Sequence, residues 1–200
     1  MIFVGIDPGK SGAVAQLGDE DRGVIMGNVK PSLTTWALPM IKGKGGKDEY
    51  DLPEIAARIR ALASTADLFV TVEKGHALPP MKVPGRPELT PFPGGSANFH
   101  RGYSRGIFEG MLVALAIPHQ LVVPRQWQKR MLASPGAWVG DEGTTKTRSI
   151  AAARSLFPDV DLRRTPRSRK DDDGIADAIL LACYGRLSVR SEQLALEVSR

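Results

Sequence analysis

The feature that most constrains the fold is the stretch IFVGIDPGKSGAVAQLG at residues 2–18. Its first part is a nearly continuous apolar run, which is typical of a strand buried on both faces. The run ends at Asp7, because Pro8 cannot donate a hydrogen bond to a sheet and Gly9 accommodates a tight turn. A second apolar run begins at Gly12, so the sequence predicts a β-hairpin that holds the Asp7 carboxylate at the end of a sheet. An aspartate that merely opens a turn gives the same pattern, and the other acidic residues must distinguish the two interpretations.

The chain has 200 residues, the length of one ordinary domain. We expect a single domain with a core over about 1–187 and a weak C-terminal tail over 188–200. The one cysteine, Cys183, lies in an apolar run, so cysteines supply neither a disulfide framework nor a zinc cluster. No apolar run approaches the ~20 residues of a membrane span, and no export signal precedes the first strand. These features predict a soluble protein in a reducing, cytoplasmic setting.

The charge balance favours a polyanionic partner. The chain has 27 Lys and Arg against 22 Asp and Glu, which gives a net charge of +5. Five cations lie within the eight residues 163–170, directly before the aspartates at 171–173. A charge run alone is more often a solvated loop than a binding surface, but the neighbouring acidic residues favour a functional role here.

Three further carboxylates have positions that suggest a site. Glu73 ends the β-branched run LFVTVE and so mirrors Asp7. Asp177 lies in the apolar sequence IADAILLA, where an unpaired carboxylate has a large desolvation cost and needs a partner or a cation. Asp173 lies four residues earlier, on the same face of a helix predicted over 172–184. Together these oxygens can form a site for a hard divalent cation such as Mg²⁺ or Mn²⁺, whereas any one of the aspartates at 171–173 could simply cap the helix.

The rest of the chain predicts alternating strands and helices. We expect a third strand over 23–29, a loop over 31–49, and helices over 52–62, over 98–117 and from Thr144 or Thr145 to Leu156. The segment 76–96 contains six prolines, and a loop of this length in a compact domain is usually functional or disordered. Trp127, in a short basic helix that follows a predicted strand over 120–124, is expected to pack in the core rather than to stack on a base.

Taken together, the motifs resemble those of RuvC-type Holliday junction resolvases, and the bacteriophage versions most. The resemblance rests on GIDPGKSGA at 5–13, VEK at 72–74, VPRQW at 123–127, Lys146 leading into AARSLFP at 152–158, and DDGIADA at 172–178, in the order of the family. It implies an α/β, RNase H-like fold in which helices flank a central five-stranded mixed sheet whose first three strands are antiparallel. It also implies a homodimer in the cytoplasm of a bacterium or a phage-infected host. Each of its two active sites would use two Mg²⁺ ions, or Mn²⁺ in their place, to nick opposing strands of a four-way DNA junction.

The resemblance also assigns residues to the site. It makes Asp7, Glu73 and Asp177 catalytic, metal-binding carboxylates. Many bacterial members place the fourth three residues before the last aspartate, where this chain has Gly174, so we expect Asp173 in that role with Asp172 as the alternative. The expected DNA contacts are Lys10, Lys74, Phe92, Arg101, Arg105, Lys146, Arg163, Arg164, Arg167, Arg169 and Lys170, with Phe92 as a wedge at the junction centre.

Other interpretations remain open. The same carboxylates would serve another RNase H-like nuclease, acting on RNA–DNA hybrids or on other branched DNA. A non-catalytic junction-binding protein would show the same basic character. Nucleotide phosphotransfer is opposed, because a P-loop needs four residues between its glycines and GIDPGKS has three.

Overall fold

The computed structural model describes residues 1–19, 32–75, 95–133 and 144–198 of the chain. The strands are β1 (Ile2–Asp7), β2 (Ala13–Gly18), β3 (Leu33–Ala37), β4 (Met40–Lys42), β5 (Asp48–Tyr50), β6 (Leu68–Glu73) and β7 (His119–Val122). The helices are α1 (Leu52–Ala63), α2 (Gly95–Ala114), α3 (Pro124–Leu132), α4 (Thr145–Leu156) and α5 (Asp173–Val198). None of the described helices combines the length and the apolar character that crossing a membrane requires.

Five strands form one mixed sheet in the order β3-β2-β1-β6-β7. The β1–β2 and β2–β3 pairs are antiparallel, and the β1–β6 and β6–β7 pairs are parallel. This arrangement confirms the predicted α/β class and the mixed sheet whose first three strands are antiparallel. Because β1 and β6 are parallel neighbours, their carboxyl ends lie at the same edge of the sheet, and Asp7 and Glu73 are the last residues of the two strands.

The central strand β1 is buried on both faces, as its apolar sequence predicts. On one face Phe3 packs in a core formed with α3, α4 and α5. On the other face Val4 and Ile6 pack in a core formed with α1 and α2. The helices therefore cover both faces of the sheet. The carboxyl ends of β1 and β6 meet α5 at one edge, where the acidic side chains lie.

Helix α5 lies directly on β1. A methyl group at Gly5 would overlap the backbone oxygen of Ala178 and the backbone nitrogen of Ala182, so only a glycine permits this approach. The contact occurs one residue beyond Asp177 on α5 and two residues before Asp7 on β1. Close backbone packing therefore fixes where the acidic face of α5 lies relative to the end of β1.

The loop expected over 31–49 needs correction, because this segment contains β3, β4 and the first two residues of β5. Trp36 pairs with Val14 of β2, and β4 and β5 form a separate two-stranded sheet. These strands depend on pairing with distant or successive segments, which the Gly- and Lys-rich composition conceals. The third strand expected over 23–29 lies outside the described residues.

The last helix is longer than expected. We predicted that it ends at Tyr184 and is followed by a weak tail from residue 188, but α5 continues to Val198. Its second half is tied to the body of the protein by polar contacts. Arg190 binds Asp19 at 2.8 Å, and Arg130 of α3 donates a hydrogen bond to the Ser191 hydroxyl at 3.1 Å.

Candidate functional site

Asp7 lies at the turn that follows β1, where the sequence placed it. The backbone amide of Gly9 donates a hydrogen bond to Asp7 Oδ1 at 3.0 Å, and the Gly12 amide closes the turn on the Gly9 carbonyl at 2.8 Å. Burial raises the pKa of Asp7 to about 6, and the nearby charges of Asp173 and Asp172 add to this effect against the Gly9 hydrogen bond. The turn thus fixes a carboxylate whose ionisation the protein alone does not favour.

Glu73 lies at the end of the neighbouring strand and is held by an indole. The Nε1–H of Trp127 donates a hydrogen bond to Glu73 Oε2 at 2.9 Å. Trp127 is fully buried, which confirms its predicted place in the core. Burial raises the pKa of Glu73 to about 7, and the charge of Asp7 raises it further while the Trp127 hydrogen bond opposes the shift. Sequence reasoning missed this link, because the two residues are 54 positions apart.

Asp177 faces the strand ends from α5. Its Oδ1 is buried and has no hydrogen-bond partner among the residues that the structure describes. Burial raises the pKa of Asp177 to about 7, and the charges of Asp7, Glu73 and Asp173 push it in the same direction. The Ser149 side chain opposes the shift, although its hydroxyl forms no hydrogen bond of normal geometry within the described chain. A buried carboxylate oxygen without a donor is costly unless a cation neutralises it.

The four predicted carboxylates therefore gather at one edge of the sheet, where neighbouring negative charges add to the effect of burial on the pKa values of Asp7, Glu73 and Asp177. Their donor set is all oxygen, the kind that Mg²⁺ and Mn²⁺ prefer, and the orphaned Asp177 oxygen fits a cation. In the described parts of the chain, no three His, Cys, Asp or Glu side chains are arranged to hold a metal ion as they stand. Asp173 has a cationic partner within the protein, since its Oδ2 lies 2.6 Å from Lys146 Nζ. A protein ammonium thus holds a carboxylate that the resemblance assigns to a metal.

Asp172 and Asp173 have different partners. Asp172 caps α5, because its Oδ1 accepts a hydrogen bond from the Ile175 amide at 3.1 Å. Arg164 binds the same carboxylate with Nε at 2.6 Å from Oδ2. Both oxygens of Asp172 are therefore committed within the protein. Asp173 is paired with an exposed lysine instead, an arrangement that favours Asp173 as the carboxylate able to change partner.

Close packing requires a glycine at residue 174. A methyl group at Gly174 would overlap the Ser11 carbonyl and lie 3.1 Å from Asp7 Oδ2. The start of α5 therefore packs against the β1–β2 turn with no space for a side chain at this position. The packing brings the backbone of α5 close to Asp7 and excludes any side chain, including a carboxylate, at residue 174.

A cleft of about 270 Å³ opens beside the strand-end carboxylates. Asp7 and Glu73 line it on the sheet side, and His100, Arg101 and Ser104 of α2 line it on the other. Arg101 was expected near DNA, whereas His100 and Ser104 were not predicted. Their spacing of four residues was the signal that could have placed them on one face of a helix. In the structure the Ser104 hydroxyl donates a hydrogen bond to the His100 carbonyl at 2.7 Å.

The basic run over 163–170 divides into two groups. Arg163 forms a two-pronged ion pair with Asp161, at 2.8 and 2.9 Å. Arg164 joins the Asp172 carboxylate to the Ser11 carbonyl and so fastens α5 to the turn after β1. The other members, Arg167, Arg169 and Lys170, have exposed side chains. The second group is accordingly the part of the run that is oriented for an external anion.

The remaining predicted DNA contacts do not form one group. Lys10 lines the cleft, and Lys74 directly follows Glu73. Arg105 of α2 pairs with Glu109 at 3.2 Å, in a contact between two partly exposed side chains that contributes little to stability. Lys146 lies at the start of α4 and its side chain is 71% exposed. Phe92 lies outside the described residues.

The strand order and the helices on both faces define the RNase H-like class of fold. No protein-family model and no curated protein matches the sequence. Among solved structures, the chain is similar to Thermus thermophilus RuvC, with a TM-score of 0.49, 17% identity, and coverage of 94% of this chain and 97% of that one. It is also similar to T. thermophilus RuvC in complex with a Holliday junction substrate, with a TM-score of 0.51, 14% identity and coverage of 96% of both chains. At this identity the second comparison shows the fold alone, and the fold of this chain is that of T. thermophilus RuvC.

Proposed function

We propose that this protein is a RuvC-type resolvase, a structure-selective endodeoxyribonuclease that cuts four-way DNA junctions by paired, symmetric phosphodiester hydrolysis. The observation that carries the proposal is the acidic cluster at the carboxyl ends of β1 and β6. Three partly buried carboxylates there have raised pKa values, and one has a buried oxygen without a hydrogen-bond donor in the described chain. Such a cluster is costly to a protein that has no use for a cation.

Asp7, Glu73, Asp173 and Asp177 are the residues that would hold two divalent ions, Mg²⁺ by preference. When bound, such a pair supplies charge to the scissile phosphate and lowers the pKa of an attacking water. The protein's own contribution is orientation. The Gly9 amide fixes Asp7 and the Trp127 indole fixes Glu73, so both carboxylates are held in position before a ligand arrives.

In this proposal Lys146 changes its partner when a cation binds. In the structure it neutralises Asp173, and its hydrogen bond with that carboxylate raises the pKa of Lys146. An exposed lysine on a flexible stem can move with little cost, because a solvated ion pair is weak. Cation binding at Asp173 would release the ammonium, which is then placed at the edge of the acidic cluster to bind a DNA phosphate.

The proposed partner is a four-way DNA junction bound by a homodimer. Two symmetric active sites provide one cut on each of two opposing strands. The net charge of +5 and the exposed group Arg167, Arg169 and Lys170 support phosphate contacts. The likeness to a RuvC solved with a Holliday junction substrate supports the choice of DNA structure.

Cleavage of labelled DNA tests the proposal. The substrates are four-way junctions, linear duplex and RNA–DNA hybrid, each with Mg²⁺ and with EDTA. The variants are Asp7→Asn and a matched control, Asp67→Asn, whose exposed side chain lies at the opposite end of the sheet, just before β6. We expect paired nicks in the junction that are lost in EDTA and in Asp7→Asn, and that persist in Asp67→Asn.

The other outcomes identify the alternatives. Cutting of the hybrid in place of the junction would keep the carboxylate site and overturn the substrate. Tight junction binding without any cutting would identify a non-catalytic binding protein. Asp7→Asn is expected to bind junctions as wild type does, because it removes a metal ligand and no phosphate contact.

A further inference from the structure

Helix α4 packs against α5 through three small residues, and one of them is polar. Ser149, Ala152 and Ala153 are the buried residues of α4, and all three are fully buried. An alanine at position 149 would fill nearly the same space without taking a hydroxyl out of water. A buried hydroxyl at this position is therefore unfavourable unless it has a hydrogen-bond partner.

The Ser149 hydroxyl does not bind the acceptor that serines in helices often use. Ser104, Ser188 and Ser191 each donate a hydrogen bond to the carbonyl four residues earlier, at 2.7, 2.9 and 2.7 Å. The Ser149 hydroxyl makes no such bond, and it has no hydrogen-bond partner of normal geometry in the described chain. Its proton is therefore available to an acceptor on a neighbouring element.

Asp177 of α5 is the acceptor that lies beside this hydroxyl. The Ser149 side chain is close enough to lower the pKa of Asp177 against the effect of burial. Asp177 Oδ1 is buried and lacks a donor in the described chain, so an unused donor and an unsatisfied carboxylate are neighbours. We propose that Ser149 is a positioning residue, whose hydroxyl donates a hydrogen bond to Asp177 and so orients this carboxylate for a divalent cation. The inference rests on the proposed metal-dependent function and deepens it.

A hydroxyl suits a carboxylate that binds a metal. With one oxygen of Asp177 on a cation, the other oxygen remains negatively charged and accepts a hydrogen bond. Ser149 can supply that bond by rotating its O–H, with no movement of either helix. Because the hydroxyl is uncharged, it orients the carboxylate without taking the place of the cation.

The preceding turn of α4 carries a different kind of partner. Lys146 lies three residues before Ser149, and its ammonium is 2.6 Å from the carboxylate of Asp173, four residues before Asp177. Helix α4 therefore places one donor beside each of the two α5 carboxylates. Lys146 must leave Asp173 before a cation can take its place, whereas Ser149 can stay bound to Asp177 throughout.

Magnesium binding by the DNA-free protein tests the inference. In calorimetric titrations, Ser149→Ala should need about tenfold more Mg²⁺ than wild type for half-saturation, because Asp177 is no longer oriented. Ser149→Cys keeps a weak donor and should bind Mg²⁺ with intermediate affinity. The melting temperature of Ser149→Ala in EDTA should not fall, because alanine fits the site and removes an unpaired hydroxyl.

A matched control lies on the same helix as Asp177. The Ser188 hydroxyl of α5 already donates to the Tyr184 carbonyl, so Ser188→Ala should leave the Mg²⁺ affinity unchanged. Cleavage of four-way junctions gives a second comparison. Ser149→Ala should cut slowly at low Mg²⁺ and approach the wild-type rate at saturating Mg²⁺, because the substitution weakens cation binding and removes no ligand.

The other outcomes overturn the inference in ways that can be told apart. If Ser149→Ala binds Mg²⁺ as Ser188→Ala does while the wild-type protein cuts junctions, the positioning role is refuted and the resolvase function stands. If Ser149→Ala melts at a lower temperature in EDTA and cuts more slowly at every Mg²⁺ concentration, Ser149 serves packing alone. If the wild-type protein neither binds Mg²⁺ nor cuts junctions, the proposed function fails, and the positioning role fails with it.

Discussion

The carboxylates at the strand ends and those at the start of α5 are held by opposite kinds of partner. Asp7 and Glu73 accept hydrogen bonds from uncharged donors, the Gly9 amide and the Trp127 indole. The two aspartates at the start of α5 are each bound by a cationic side chain at 2.6 Å. An uncharged donor orients a carboxylate and leaves its charge in place. A cationic donor orients the carboxylate and also neutralises it.

The difference indicates which charges the protein neutralises itself. At the strand ends, and at Asp177, burial keeps the pKa values of the carboxyl groups high and charge remains uncompensated at neutral pH. At the start of α5, Asp172 is neutralised by a partly buried arginine that also fastens the helix, and Asp173 by a lysine that is mostly exposed. The two neighbouring aspartates thus differ in how readily each partner can leave.

Substituting the two aspartates separately gives the largest expected difference. Asp173→Asn should lower cleavage about a thousandfold with little change in thermal stability, because it removes a proposed metal ligand and leaves the cap of α5 intact. Asp172→Asn should cost about 1 kcal/mol of stability through its weakened bond to Arg164, while cleavage falls less than about tenfold. Cleavage rates and thermal melts of both variants measure the contrast. The reverse pattern would make Asp172 the ligand.

The next largest effect is on stability and concerns the three carboxyl groups that no cationic side chain neutralises. Without metal, Asp7, Glu73 and Asp177 bind protons more tightly in the folded chain than in the unfolded one, since their folded pKa values are raised to about 6, 7 and 7. The free energy of unfolding should therefore rise as the pH falls from above 7 to about 4, by on the order of 3 kcal/mol for each group taken alone. Urea melts at several pH values in EDTA measure this slope.

Two controls make the stability prediction specific. Mg²⁺ should flatten the pH dependence, because a cation stabilises the ionised carboxylates that burial disfavours. Asp177→Asn in EDTA should reduce the slope and stabilise the protein at pH 8, since it removes a buried charge. A metal-free stability that increases with pH through this window would contradict the assignment of these groups as uncompensated.

The sequence revealed the positions of the strand-end carboxylates and of Asp177 through local signals. An apolar run that ends in Asp-Pro-Gly defines the end of β1, and an aspartate among isoleucine, leucine and alanine draws attention by its cost. The five-stranded mixed sheet with its first three strands antiparallel followed from the resemblance and is confirmed. Each of these features can be predicted from a few consecutive residues or from the order of the motifs.

What the sequence did not reveal depends on contacts between distant residues. Whether Asp172 or Asp173 is free to bind a metal depends on Arg164, which reaches back across the turn after β1. The strand at 33–37 exists because β2 offers an edge to pair with, and its own composition favoured a loop. The basic run looked uniform, yet Arg164 fastens α5 to the turn after β1 and Arg163 forms an exposed ion pair with Asp161, whereas Arg167, Arg169 and Lys170 are exposed.

Removing the Trp127–Glu73 hydrogen bond tests the role of the uncharged donors at the strand ends, and its expected effect on cleavage is the smallest. Trp127→Phe keeps a large apolar ring in the core but removes the only donor of that side chain. Glu73 then loses its orientation, and the Mg²⁺ concentration needed for half-maximal cleavage should rise about 10- to 100-fold, the usual cost of losing a group that orients a ligand. Trp36→Phe is the matched control, because Trp36 lies on β3 and contacts Arg58 instead of a carboxylate. If both variants show the same Mg²⁺ dependence, the indole only fills space, and the uncharged donors at the strand ends do not prepare the site for a cation.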